Sequence, residues 1–284
     1  MAGGTEAGGS MGGAAKGAAR DAASGTVRAA RSKGGRALAQ GGFVFVGLLH
    51  LIIAYLALRI ALGGQGEHAD QSGAIQQIAG APGGLIVLWV AALCCAALAL
   101  WWISEAILSA RSRSEGTWDV LSAAGKAAVF LAIGGLFLSY ALGAGKDSRQ
   151  KSQEITATIL AAPGGQVVLV ILGLVVVGTG VYYVWRGVSR KFLDTEVSPH
   201  GRARKPVEAV GVLGYAAKGA ALGIVGVLVT VAALRFDASE QTGLDGALKG
   251  LAAQPYGAWV LGIVALGLAC FGLYSAARAK YGQM

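Results

Sequence analysis

Six long apolar runs divide this chain, and they constrain its fold more than any other feature. Each run holds roughly the 20 residues that cross a ~30 Å hydrocarbon core as a helix. The sequence therefore predicts an all-α integral membrane protein with six transmembrane helices. The runs cover residues 43–62, 85–108, 120–142, 167–185, 213–236 and 258–277.

The composition agrees with a membrane protein. Apolar residues make up 55% of the chain and charged residues 14%, whereas soluble domains carry about 25% charged residues. The net charge of +9 is explained by short basic segments that flank the runs. Nucleic-acid binding, which would also produce a basic protein, is therefore not expected.

The six runs form three copies of one two-helix unit, each with a helix A, a polar segment, a proline and a helix B. When the prolines Pro82, Pro163 and Pro255 are aligned without gaps, a glycine follows each of them by two residues. These glycines are Gly84, Gly165 and Gly257. We predict repeats over 43–110, 120–190 and 209–280, arranged as a pseudo-threefold bundle. Because each unit crosses the membrane twice, the three repeats are parallel.

The A helices share a pattern of small residues. Gly47, Ala127 and Gly219 occupy one repeat position, and Ala54, Gly134 and Gly226 occupy another seven residues later. Seven residues is two helical turns, so both positions lie on one face. Small side chains let helices pack closely in lipid, and we expect this face to contact a neighbouring helix.

The distribution of Lys and Arg predicts the orientation. Of the 24 Lys and Arg residues, 16 lie in the N-terminal tail, the second and fourth connections and the C-terminus, and five lie in the other three connections. The positive-inside rule then places both termini in the cytoplasm. Residues 1–42, rich in Gly and Ala with scattered Arg and Lys, are predicted to be a disordered cytoplasmic tail, with contact to anionic lipid headgroups as the alternative.

The three outer polar segments carry apolar residues at helical spacing, such as Ile75 with Ile78 and Ile155 with Ile159. Each is predicted to be a short amphipathic helix. Asp245 or Ser72 is a candidate cap for its helix, and the prolines suit the turn into helix B.

Several motifs resemble the bacterial, largely actinobacterial, membrane proteins grouped as domain of unknown function 1206. They are Gly-Tyr-Ala-Ala-Lys-Gly at 214–219, Thr-Gly-Leu-Asp-Gly-Ala-Leu at 242–248, Leu-Ala-Ala-Gln-Pro-Tyr-Gly at 251–257 and Ala-Asp-Gln-Ser-Gly-Ala-Ile at 69–75. The resemblance covers roughly residues 39–280 and implies a multi-pass protein of the bacterial plasma membrane. The second repeat departs from the motif at 147–155. No activity is implied, because none is assigned to the family.

The candidate binding residues are Lys126, Lys218 and His50, since ionisable residues inside a span are costly and often functional. Both lysines share one repeat position on helix A, and His50 lies about one turn deeper on the first helix. Converging side chains would form a cationic site for an anionic lipid headgroup or substrate. The structural alternative is that the lysine stems reach the membrane interface.

No catalytic constellation was found in the sequence, so we expect neither enzymatic activity nor a cofactor or metal. The three cysteines lie inside apolar runs, where they support no disulfide framework or metal site. The favoured hypothesis is a non-catalytic interaction, assembly or envelope-associated protein. A small transporter or channel with an axial pathway is the alternative.

Overall fold

The computed structural model describes residues 24–64, 68–111, 117–145, 148–199, 201–236 and 244–282. Six of its helices are long and apolar enough to cross a membrane, as predicted. The helices are α1 (Lys33–Ala61), α2 (Gln71–Gly80), α3 (Gly84–Arg111), α4 (Thr117–Ala141), α5 (Ser148–Ala161), α6 (Gly165–Val188), α7 (Phe192–Thr195), α8 (Arg204–Arg235), α9 (Leu244–Ala252) and α10 (Gly257–Tyr281). The spans are α1, α3, α4, α6, α8 and α10.

Two compact units make up the chain. The first unit contains the described part of Met1–Gly42 together with Ala91–Gly135, and the second contains Phe43–Val90 with Leu136–Met284. These units do not follow the repeat boundaries, because the long helices α1, α3 and α4 each contribute to both.

Helix α1 begins ten residues before the first apolar run. Residues 24–31 and 33–42 are helical, so the prediction of a disordered tail is wrong for this part, while residues 1–23 lie outside the described ranges. The reason is close packing by small residues. Ala39 is fully buried, and a Cβ at Gly42 would come within 2.9 Å of the Cys94 carbonyl oxygen. Tertiary contacts of this kind offset the entropy of ordering a Gly-rich segment.

The repeat proline forms the second residue of a tight turn that leads into each B helix. The amide of Gly84 donates to the Ala81 carbonyl at 2.9 Å, and the corresponding bonds close the turns around Pro163 and Pro255. The residue after each proline has a positive φ, as in a type II turn; it is Gly83, Gly164 or Tyr256. At Gly84, Gly165 and Gly257 a Cβ would collide with the carbonyl oxygen of the residue six positions earlier.

Of the three short helices that precede the repeat prolines, two bury a large apolar residue and one exposes it. In α2 and α9, Ile75 and Leu248 are fully buried, whereas Ile155 in α5 is 52% exposed. The cap of α2 is Asp70, which accepts from the Gly73 amide at 2.9 Å, so the prediction of Ser72 as the cap is wrong. Ser72 instead donates its hydroxyl hydrogen to Asp70.

The small faces of the A helices pack against neighbouring helices, as predicted, and these neighbours are B helices. In the second unit, a Cβ at Gly219 of α8 would lie 2.5 Å from the Gly180 carbonyl oxygen of α6, and one at Gly47 of α1 would lie 2.7 Å from that of Gly272 in α10. In the first unit, Gly134 of α4 faces Cys95 of α3, with 3.2 Å between the two Cβ positions. Each A helix thus contacts the B helix of another repeat.

Candidate functional site

Two of the three candidate residues meet at one aromatic ring in the second unit. The Nζ of Lys218 lies 4.1 Å from the centroid of the Phe271 ring, and the His50 ring lies 4.7 Å from that centroid. His50 Nδ1 donates to the Val46 carbonyl at 2.8 Å, which fixes the imidazole against its own helix. Lys218 and His50 are therefore close neighbours.

Lys126, the third candidate, belongs to the first unit. Its Nζ lies 4.2 Å from the centroid of the Trp102 ring. Lys218 makes the matching contact with Tyr183, at 5.1 Å, and Trp102 and Tyr183 hold the same repeat position on their B helices. Each lysine is thus a cation–π partner of the helix that its own helix packs against. Convergence of Lys126 with Lys218 and His50 stays a prediction.

The most elaborate polar site of the second unit surrounds Glu196, just after the short helix α7. One carboxylate oxygen, Oε1, accepts from Arg186 Nη2 at 2.8 Å. The other, Oε2, accepts from the hydroxyl groups of Tyr215 at 2.6 Å and Tyr274 at 2.9 Å. It also pairs with Arg278 Nη1 at 3.0 Å. Glu196 is buried, and both of its oxygens are occupied.

Aromatic rings enclose this carboxylate. Phe192, at the start of α7, stacks on Tyr215 with 5.3 Å between the ring centroids and meets Tyr274 edge-on at 5.2 Å. Phe271 also packs edge-on against Tyr215. These rings exclude water from the ion pairs, which strengthens the electrostatic attraction between them.

The pKa of Glu196 is lowered from its ordinary value. Burial alone would raise this pKa, but the positive charges of Arg278 and Arg186 and the two tyrosine hydrogen bonds outweigh burial. The carboxylate is therefore held in its ionised form. A group held in this way is a poor proton donor near neutral pH.

Arg186 and Arg278 occupy the same position in the second and third repeats, at the predicted cytoplasmic ends of their B helices. Sequence reasoning placed them at the membrane interface and missed Glu196, which lies in a connection outside the repeats. The sequence did contain one indication of such a partner, namely two arginines at equivalent repeat positions. Partly buried cations usually have an acidic partner. In the first repeat this position is Glu105, and it pairs with Arg31 at 2.8 Å.

A second polar cluster joins the short helices of the first and third repeats. Asp245 of α9 is buried and accepts from the Ala69 amide at 3.0 Å and from Lys249 Nζ at 2.9 Å. His68 Nδ1 lies 3.5 Å from the same carboxylate. Asp245 was expected to cap α9, but it instead holds the segment before α2 against α9.

Within the described ranges, no group of three or more His, Cys, Asp or Glu side chains is placed to hold a metal ion.

Comparison with known proteins gives one match for each of the three repeats. The family model described as Domain of Unknown Function (DUF1206) matches residues 41–109, 121–190 and 213–282. The chain is 27% identical over 248 residues to the "Uncharacterized protein YxxB" of Bacillus subtilis (strain 168), covering 86% of this chain and 90% of that protein. No solved structure matches. Three matched repeats, each with two membrane-length helices, make this multi-pass membrane protein a member of the DUF1206 family.

Proposed function

We propose that this protein is a non-catalytic component of a bacterial plasma membrane that acts by assembling with other envelope components. The observation that carries the proposal is the Glu196 site, where one carboxylate binds two arginines and two tyrosine hydroxyls. Its ion pairs and hydrogen bonds hold α6, α8 and α10 together. Because the carboxylate is fully hydrogen-bonded and ionised, it is unsuited to general acid–base catalysis.

The two intramembrane lysines support the same proposal. Lys126 and Lys218 each contact an aromatic ring on the B helix against which their own helix packs. A cation engaged in this way stabilises helix packing, since a desolvated cation–π contact contributes about 2 kcal/mol. The lysines then serve the scaffold rather than a transported solute.

One observation favours a transporter, or a site for an anionic headgroup or substrate, as the second candidate. Around Glu196 the cations Arg186, Arg278 and Lys218 outnumber the single carboxylate, and Lys218 is within electrostatic reach of it. Arg186 Nε is also buried with no hydrogen-bond partner among the described residues. Buried donors are usually satisfied, so an anion would complete this cluster.

Reconstitution into vesicles separates the two candidates. For the scaffold we expect no flux of chloride, phosphate or small carboxylates above that of empty vesicles, both for the wild type and for Lys218→Met. Native gels of solubilised membranes should show a complex heavier than the 28.6 kDa chain. Anion flux that is lost in Lys218→Met would refute the scaffold and establish the transporter.

The proposed orientation, with both termini in the cytoplasm, has its own test. Gln77 on α2 and Ser189 after α6 are exposed and lie on opposite sides in this topology. A membrane-impermeant thiol reagent added to intact cells should label Gln77→Cys and spare Ser189→Cys. The reverse pattern would show that the orientation is wrong.

A further inference from the structure

A groove of about 420 Å³ lies between α3 and α4 in the first unit. Its walls include Ile103 and Ile107 of α3 and Ala124, Ala127, Ala128 and Leu131 of α4. The lining residues all carry Ala, Ile or Leu side chains, so the groove offers a ligand only apolar contacts. The part of a ligand that lies in the groove must therefore be apolar.

The repeat positions explain why a groove exists here. The close contact of α6 with α8 is made by Gly180 and Gly219, and the same positions in α3 and α4 hold Ala99 and Ala127. An alanine has a methyl group where glycine has only hydrogen, so the two backbones approach less closely. Ala127 lines the groove and thus connects this substitution to the open space.

The depth of the groove matches one leaflet. On each helix its lining spans eight residues, 103–110 and 124–131, which corresponds to ~10 Å of helix rise against ~15 Å for half of the hydrocarbon core. Trp118, on the first turn of α4, is 73% exposed, as is typical of an aromatic residue at the interface. The groove begins ~9 Å further along α4, at the level of the acyl chains.

A docked helix would not fit inside the groove. A transmembrane helix is ~10 Å wide, so it could cover the mouth of the groove but could not fill the space between α3 and α4. An extended acyl chain is only ~5 Å wide, judging from carbon–carbon contact distances. We propose that this groove is a specific site for one acyl chain of a membrane phospholipid.

Lipid retention by the purified protein tests the site. The protein, extracted from vesicles of phosphatidylethanolamine and phosphatidylglycerol, should retain phospholipid when its mass is measured under native conditions. Ala128→Leu places a larger side chain in the groove and should lower the affinity for lipid about tenfold, because displacing about two methylene groups changes affinity by that factor. Val129→Leu, an exposed neighbour outside the lining, should retain lipid like the wild type.

A measurement on the unaltered protein covers the case in which the substitution disturbs folding. A phospholipid with a photoreactive group on its acyl chain should label residues 103–110 and 124–131 more strongly than α6, although more of the α6 side chains are exposed. Labelling spread evenly over both surfaces, or equal lipid retention in Ala128→Leu and the wild type, would overturn the proposal. A dimer without bound lipid would also overturn it, since a second copy would then occupy the groove.

Discussion

The α6–α8 contact and the α3–α4 contact are two versions of the same repeat junction. In the first, Gly180 and Gly219 let the backbones approach, and the nearby Glu196 binds two partly buried arginines. In the second, Ala99 and Ala127 stand at the glycine positions, a groove remains, and the charge at the helix end is the exposed pair Arg31–Glu105. The position of Gly223, which also lies against Gly180, is Leu131 in α4. Several larger side chains thus distinguish the open α3–α4 junction from the sealed α6–α8 junction.

The largest difference in stability between the two junctions should come from their charged residues. Removing Glu196 by Glu196→Ala leaves two arginines without their buried partner, and we expect a loss of ~3–5 kcal/mol in the free energy of unfolding. Glu105→Ala removes half of an exposed pair and should cost no more than ~1 kcal/mol. Thermal unfolding in detergent measures both. Equal losses would show that the Glu196 site does not stabilise the sealed junction.

Acid should weaken the sealed junction selectively. The folded pKa of Glu196 is lowered, so its contribution to stability is fully present above the unfolded pKa of ~4.3 and is lost as the pH falls from there through the folded pKa. Unfolding midpoints of the wild type should therefore fall over this acidic range. Glu196→Gln lacks the titrating group and should show a smaller dependence; an identical slope would contradict this assignment.

The glycine contact itself can be broken by one methyl group. Gly219→Ala would place its Cβ 2.5 Å from the Gly180 carbonyl oxygen, and overpacking of this kind costs ~1–3 kcal/mol. Gly223, one turn later on α8, has no atom within 4 Å of an added Cβ. Gly223→Ala is the matched control and should be neutral or slightly stabilising. Similar unfolding midpoints for the two variants would refute close packing at Gly219.

The smallest expected effect concerns the turn before α10. Tyr256 has φ 61° where the first two repeats have Gly83 and Gly164, and the left-handed region costs a non-glycine residue ~1–2 kcal/mol. Tyr256→Gly should raise the unfolding free energy by up to ~1 kcal/mol, since added flexibility of the unfolded chain offsets part of the relief. A clear loss of stability would show that the exposed ring has another role.

The sequence predicted the small-residue faces well and the polar contacts poorly. Gly47, Gly219 and Gly134 could be assigned to a packing face because helix geometry relates residues seven positions apart. Glu196 lies outside the repeats, and its partners Arg186 and Arg278 are 10 and 82 positions away. Such contacts depend on how helices from different repeats meet. The periodicity of the sequence carries no information about this.

The short helices illustrate the same limit. Periodicity predicted an amphipathic helix in every repeat, and α2, α5 and α9 are all present. It did not predict that Ile75 and Leu248 are buried while Ile155 is exposed. Burial depends on a neighbouring surface, and the departure of the second repeat from the family motif at 147–155 was the only indication of a difference.

By itself, the sequence determined the six spans and the three proline turns. An apolar run in lipid must satisfy its backbone internally as a helix, and a proline followed by a tightly packed glycine restricts the turn locally. Only the tertiary structure decided that Glu196 joins two equivalent arginines, that Asp245 holds the segment before α2, and that α3 and α4 leave a groove. These features arise where distant segments meet, and there both distance and burial depend on the packed helices rather than on any local pattern.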